Sequence, residues 1–218
     1  DGLLAALKRT NEAFQLKLLY MNVISRAIGA HSLLVPEFYS HLQRYTTPHQ
    51  KDVTQILAFA AQASHELAPP EAVAELARVI SRAFCAEYCA PAAIAAGLNG
   101  MAAIARRAPF AIDGDTLNAL IATFRGSSDK GVLSAIRGLI AVYRTADPML
   151  LHRKDRGKDV SVSIAAANKT GASSAFAPRA YGSRTVLDAR VKSVGSIADS
   201  PHDVQDESDN DAINSSAS

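Results

Sequence analysis

Basic side chains are the residues of this sequence whose spacing most clearly indicates chemistry. Lys130, Arg137 and Arg144 are seven residues apart, so on a helix they would lie along one stripe. The stripe leads into HRKDRGK at 152–158. Cationic side chains beside a glycine can approach phosphate groups closely. Such contacts release counterions, so the affinity depends on salt rather than on base sequence.

These residues, called the basic set, predict a surface that binds an RNA backbone or another partner: Lys130, Arg137, Arg144, His152, Arg153, Lys154, Arg156 and Lys158. The alternative is a solvated charge run that only keeps the chain soluble. Aromatic side chains are not interleaved with the basic ones, so sequence-specific recognition of single strands is not expected. DNA is not a predicted partner.

Histidine and cysteine side chains are the other candidates for chemistry. His65-Glu66 begins a zinc-protease pattern, but no second histidine follows four residues later, and we interpret the two as a surface or boundary pair. Cys85 and Cys89 are one helical turn apart, but no further ligand lies nearby in sequence, so we interpret them as buried structural thiols. Three further histidines match no ligand spacing and are interpreted as polar loop residues: His31, His41 and His49.

Catalytic motifs are missing from the sequence. It has no Gly-rich phosphate loop, no dinucleotide fingerprint and no nucleophile elbow. The prediction is therefore a protein that is not an enzyme and that uses no cofactor, no metal and no small-molecule substrate. No segment reads as a signal peptide or a membrane-spanning helix, so no membrane partner is expected.

The net charge of +2 hides three regions of different character. Residues 1–150 are nearly balanced, residues 151–192 carry +6 and residues 193–218 carry −6. We predict a helical domain over 1–150, a basic strap and extended linker over 151–192, and an acidic disordered tail over 193–218. Composition also makes the tail a candidate for phosphorylation: Ser208, Ser215 and Ser216. Two cysteines cannot make a disulfide scaffold, which favours a reducing compartment.

Apolar residues recur with a helical period through the first 150 residues, and no alternating strand pattern appears there. We expect Asp115 to cap the helix before the last one, and Ser128 or Asp129 to cap the last. The linker is placed from residue 159, where the period is lost. The helical runs are 3–29, 33–45, 48–67, 73–84, 92–107, 117–124 and 132–143.

An internal repeat with a spacing of 38 residues links the last helical runs. Ile94 corresponds to Val132 and Leu98 to Ile136, and further matches follow: Gly100 with Gly138, Met101 with Leu139, Ile104 with Val142, Arg106 with Arg144 and Ala108 with Ala146. Helix pairs recurring at about 40 residues are typical of HEAT and armadillo solenoids. The predicted fold class is an all-α helical-repeat solenoid; an irregular helical bundle is the alternative.

Three blocks of the sequence resemble the SDA family (severe depolymerization of actin). They are residues 21–71, from MNVISRAIGAHSLLVPEFYSHLQRY onward, GLNGMAAIARRAP at 97–109 and DKGVLSAIRGLIAVYRTADPMLLHRKDRGK at 129–158. A short PRAYG follows at 178–182. CAEYCAPAAIAA at 85–96 departs from the family, being richer in alanine and cysteine. Family members are considerably longer, and this chain begins with Asp1 rather than Met, so we expect a middle portion.

The resemblance implies a nuclear and nucleolar factor for assembly and export of the large (60S) ribosomal subunit. Such a factor would be a helical scaffold that binds precursor particles, with ribosomal RNA, ribosomal proteins and other assembly factors as partners. The alternative is a helical-repeat adaptor for protein transport or actin cytoskeleton organisation that makes no RNA contact.

Overall fold

The computed structural model of the chain describes residues 2–86 and 88–170, which contain helices and no strands. Two short 3-10 turns, Pro109–Ala111 and Pro148–Leu150, interrupt the series. None of the described helices is long and apolar enough to span a bilayer. The α-helices are α1 (Gly2–Arg9), α2 (Phe14–His31), α3 (Pro36–Gln43), α4 (Val53–Ala63), α5 (Pro70–Phe84), α6 (Pro91–Arg107), α7 (Gly114–Phe124), α8 (Lys130–Ala146) and α9 (Lys158–Thr170).

Sequence signals at the helix starts explain most of these boundaries. Pro36, Pro70 and Pro91 each open a helix, where the missing N–H of proline costs nothing. Asp113 and Asp129 cap α7 and α8 through side-chain bonds from the backbone N–H three residues on. The cap predicted at Asp129 is confirmed. The cap predicted at Asp115 is wrong, because α7 begins at Gly114, three residues before its apolar run, and Asp113 is its N-cap.

The first eight helices pack as four consecutive pairs, and the second helices of the pairs form a continuous stack. In this stack α2 contacts α4, α4 contacts α6, and α6 packs most extensively against α8. Among the first helices, α3 contacts α5, and the turn at Pro109–Ala111 packs on α5 and α6. Two layers of paired helices around one apolar core are the architecture of a helical-repeat array. The predicted fold class is confirmed.

Small residues allow the stacked helices to approach closely at their carboxyl ends. A Cβ at Gly29 of α2 would overlap the backbone carbonyl of Gln62 in α4, and would lie 3.3 Å from the Arg107 guanidinium of α6. Because these three residues lie near the ends of their helices, α2, α4 and α6 run parallel. Gly97 has the same role between α5 and α6, where a Cβ would overlap the Phe84 side chain.

The 38-residue repeat corresponds to α6 and α8, which are the same length and stack on each other. Its apolar positions are buried in both helices, including Leu98 and Ile136, which are at most 1% exposed. Leu57 and Leu139, placed in the core by the sequence period, are also buried. The repeat in the sequence is therefore a repeat of core contacts.

The predicted runs differ from the structure at two places in the first half of the chain. The run 3–29 is two helices, α1 and α2, separated by residues 10–13, which include Thr10 and Asn11, residue types that favour turns over helix interiors. The run 48–67 shortens to α4, because Asp52 takes a left-handed conformation with φ 58° and Ser64 ends the helix in an extended one. Apolar residues continue at helical spacing across these breaks, so the spacing alone does not predict where the helices end.

The extended linker predicted from residue 159 is wrong for residues 159–170, which belong to α9. This run contains no glycine or proline and has three consecutive alanines at 165–167, and alanine has the highest helix propensity. Lack of an apolar period therefore misled the sequence prediction. The rest of the linker, the acidic tail and the candidate phosphorylation sites lie outside the described residues, and the three-part domain division stays a prediction.

Candidate functional site

The segment 147–157, called the end loop, carries half of the basic set and begins where α8 ends. Asp147 accepts a hydrogen bond from the Met149 N–H at 3.0 Å, which fixes the first turn. Asn118 of α7 donates to the Leu150 carbonyl at 2.9 Å and accepts from the His152 N–H at 3.2 Å. Leu151 between them is 1% exposed. The end loop is therefore folded onto α7 rather than extended into solvent.

Asp155 is the central anchor of the end loop. Its side chain is 1% exposed, and its carboxylate forms an ion pair with Arg125 at the carboxyl end of α7. Arg144 of α8 donates its Nε–H to the Asp155 backbone carbonyl at 2.7 Å. One residue thus joins both helices of the last pair, because its side chain contacts α7 and its backbone contacts α8.

Arg156 closes the end loop from within. Its Nε donates to the Leu151 carbonyl at 2.9 Å, and its guanidinium also donates to the Met149 carbonyl at 3.2 Å. Gly157 follows with φ 88°, a conformation that favours glycine. It lies beside the Arg144 side chain, so the chain turns sharply there before α9 begins.

The structure divides the basic set into two groups. Arg144 and Arg156 use their guanidinium groups on backbone carbonyls of the end loop, so they position it. The other members are exposed. His152, Arg153 and Lys154 lie on the end loop, and Lys158 is the first residue of α9. Arg153, Lys154 and Lys158 are called the loop cations. The remaining two, Lys130 and Arg137, lie on α8.

Sequence reasoning missed the residues that hold the end loop. Asn118 and Arg125 lie on α7, about 30 residues before the carbonyl and carboxylate that they contact. One signal was present, because Asp155 interrupts the cationic run in HRKDRG. An acidic residue inside such a run indicates an internal ion pair. The role of the basic set in binding itself stays a prediction.

Two of the histidines are buried, and the interpretation of His41 from sequence is wrong. His65 is 7% exposed and donates from Nε2 to the Leu33 carbonyl at 3.1 Å, while Glu66 is exposed, so this pair lies at the boundary of the core. His41, interpreted as a loop residue, lies within α3 and is 6% exposed. Burial lowers the pKa of both, and Arg44, Lys8 and Lys17 lower that of His41 further. Both imidazoles therefore belong to the core of the array.

The cysteines are structural in their surroundings. Both are half-buried against the core, and Cys89 Sγ contacts the Ala83 carbonyl oxygen at 3.4 Å. Burial, followed by the neighbouring Cys89, raises the pKa of Cys85 to about 12, which disfavours its thiolate. Within residues 2–86 and 88–170, no three His, Cys, Asp or Glu side chains come together as a metal site.

Comparison with known proteins identifies the same architecture. A family model described as "SDA1, HEAT repeat" matches residues 1–127. A protein SDA1 homolog of Drosophila melanogaster is 38% identical over 213 residues, 97% of this chain and 28% of that protein. A protein SDA1 homolog of Nematostella vectensis is 42% identical over 158 residues, 72% of this chain and 23% of that protein.

Protein sda1 of Schizosaccharomyces pombe is 44% identical over 148 residues, 68% of this chain and 20% of that protein. The chain thus spans about a quarter of the length of these curated relatives. The family model covers more than half of the chain, and the paired, stacked helices have the form that a HEAT array requires. The chain belongs to the SDA1 family of HEAT-repeat proteins.

Proposed function

We propose that the full-length protein is a non-enzymatic factor in the assembly and nuclear export of the large (60S) ribosomal subunit, acting in the nucleus and nucleolus. It would be a helical scaffold that binds precursor particles, through protein surfaces and through the backbone of ribosomal RNA. Membership of the SDA1 family supports the scaffold role. The ribosomal role follows from what the sequence resemblance implies.

The observation that supports RNA contact is the anchored end loop. A flexible loop would lose conformational entropy on binding, whereas this one is already held by Arg125, Arg144 and Arg156. The loop cations are exposed, Arg153 and Lys154 on the end loop and Lys158 directly after it. A preorganised loop with free cations suits phosphate contacts, which depend on position and charge rather than on base identity.

The test replaces Arg153, Lys154 and Lys158 with Ser in the full-length protein and measures binding to purified precursor particles across a salt series. Each lost phosphate contact is expected to lower the log–log salt slope by about one unit. In a control protein, Ser replaces Arg9, Arg44 and Lys51, which are exposed elsewhere on the array. It has the same net charge and should keep the original slope.

RNA crosslinking is a second test of contact between the end loop and RNA. RNA crosslinks mapped to residues 144–158 are expected in growing cells, together with co-sedimentation of the protein with precursor large subunits. An unchanged salt slope, or particles retained with no RNA crosslink at the end loop, would contradict RNA contact. That result would favour an adaptor for protein transport or actin organisation.

A further inference from the structure

The two layers of the array differ in charge. The stacked second helices, α2, α4, α6 and α8, contain seven basic residues and no acidic residue. The first helices, α1, α3, α5 and α7, contain four basic and four acidic residues. The helices of the two layers alternate along the chain, so this separation is invisible in the charge of any long segment. The cap residues Asp52, before α4, and Asp129, before α8, lie just outside these helices.

A groove of about 450 Å³ crosses this acid-free layer between α4 and α6. Its lining is mostly alanine, with Leu57 and Gly100 in its buried part and Thr54 and Asn99 as its polar residues. Gly100 brings α6 close to α4, since a Cβ there would lie 3.3 Å from Leu57. On α6 the lining residues Ala92, Ala96, Asn99 and Ala103 share one helical face. The lining therefore offers a shallow apolar track along α6.

The neighbouring face of α8 is basic at matching positions. With the 38-residue repeat, Lys130 takes the place of Ala92 and Arg137 that of Asn99. Both are exposed, and α8 stacks directly on α6. The apolar groove on α4 and α6 thus lies beside Lys130 and Arg137 on α8. The neighbouring carboxylate, Asp129, is used as the helix cap and accepts from the Val132 N–H at 2.9 Å.

We infer that this groove docks an acidic amphipathic helix of a protein partner. Its apolar side chains would lie against the alanine track, and its carboxylates would face Lys130 and Arg137. An amphipathic helix needs an apolar track about as long as itself. The rise of 1.5 Å per residue gives about 16 Å from Ala92 to Ala103, which accommodates about three helical turns. The small lining residues let its backbone approach closely.

RNA fits this groove less well than a protein helix. The lining contains no cation, and only Thr54 and Asn99 offer polar side chains. Phosphate contacts draw mainly on lysine, arginine and other donors, which this apolar surface lacks. The inference concerns a different surface from the end loop. It rests only on the scaffold part of the proposed function.

The test places a photo-crosslinking amino acid at Ala96, in the groove, in the full-length protein in cells. Crosslinked material is digested and identified by mass spectrometry. The expected product is one recurrent peptide from a protein partner, with net negative charge and apolar residues at helical spacing. RNA adducts, a basic peptide, or no specific product at this position would overturn the inference.

A pair of variants supplies the quantitative readout. Replacing exposed groove residues, Ala58→Glu with Asn99→Glu, should reduce the crosslink by about tenfold or more, because like charges would then face each other. The control, Ala119→Glu with Ala122→Glu on exposed positions of α7, adds the same charge to the other layer and should leave the crosslink unchanged. Equal loss in both proteins, or no loss in the first, would overturn the inference.

The end-loop variant separates this inference from the proposed function. Replacing Arg153, Lys154 and Lys158 with Ser should abolish the RNA crosslinks and leave the groove crosslink intact. Circular dichroism on each purified variant confirms that the array remains folded, as expected for exposed positions. A groove crosslink that disappears together with the RNA crosslinks would show that the peptide contact is secondary to RNA binding, and would overturn it.

Discussion

The helical stack and the end loop are held together by different kinds of contact. In α6 and α8 the contacting side chains are apolar and buried, as Leu98 and Leu139 are. The end loop adds polar contacts to its buried Leu151, from Arg144 and Arg156 to backbone carbonyls and from Arg125 to Asp155. Lys130 and Arg137 on α8 are exposed, whereas the guanidinium groups of Arg144 and Arg156 contact carbonyls of the end loop itself. The number of basic residues in the end loop therefore exceeds the number whose side chains face solvent alone, because Arg156 contacts the Leu151 carbonyl.

This difference also separates the stability of the two regions. Each second helix of the stack shares its core with its neighbours in the stack, so a defect in the stack should spread through the array. The polar anchors of the end loop, Asn118, Arg125 and Arg144, belong to the last pair. Damage to its anchors should therefore stay local, leaving the helices intact.

Leu139→Asp should have the largest effect, because it places a carboxylate without a partner in the centre of α8. Leu139 is 0% exposed, and burying an unpaired charge costs several kcal/mol. We expect loss of the cooperative helical transition in circular dichroism. The control Ala141→Asp adds the same charge at an exposed position of the same helix and should fold. A folded Leu139→Asp protein would contradict the placement of the core.

The stack could be predicted from sequence because its apolar residues recur at helical spacing within each helix and again after 38 residues. Leu139 and Leu57 were placed in the core by spacing alone, and the 38-residue repeat identified the two helices that stack. The breaks were harder to see. Asp52 and Ser64 end regular structure through backbone conformation, which an apolar period does not report. Boundaries were therefore less predictable than the helices themselves.

The end loop was less predictable because its anchors are distant in sequence. Arg156 has the same residue type as Arg153 and lies three residues from it, yet Arg156 donates to the Leu151 carbonyl while Arg153 is exposed. Their roles depend on where α7 places Asn118 and Arg125. The sequence identifies the basic set, but the folded chain is needed to show which of its members contact the carbonyls of the end loop. The charge separation between the two layers was hidden for a similar reason, because it requires the order in which the helices pack.

Asp155→Asn tests the loop anchors and should have an intermediate effect. It removes the buried partner of Arg125 but keeps the shape of the side chain. Arg125 is 46% exposed, and solvent screens the pair, so we expect a loss of about 1–2 kcal/mol. The informative readout is trypsin cleavage after Arg153 or Lys154, which should become faster as the loop opens.

The control for that measurement is Asp115→Asn, an exposed acid in the first turn of α7. It makes the same charge change and should leave cleavage of the end loop unaltered. Global helicity should be retained in both proteins. If Asp155→Asn unfolded the whole array, the end loop would be part of the common core, and the contrast between the two regions would be lost.

Gly138→Ala should have the smallest effect and the opposite sign. Gly138 lies within α8, and a Cβ added there would have nothing within 4 Å, so alanine should raise the free energy of unfolding by about 0.5–1 kcal/mol through helix propensity. Gly97→Ala is the matched comparison, since its Cβ would overlap Phe84 and overpacking outweighs propensity. Thermal unfolding distinguishes the two. Destabilisation by Gly138→Ala would show that this face of α8 is covered in solution, and that the acid-free layer is less open than the exposure of Lys130 and Arg137 indicates.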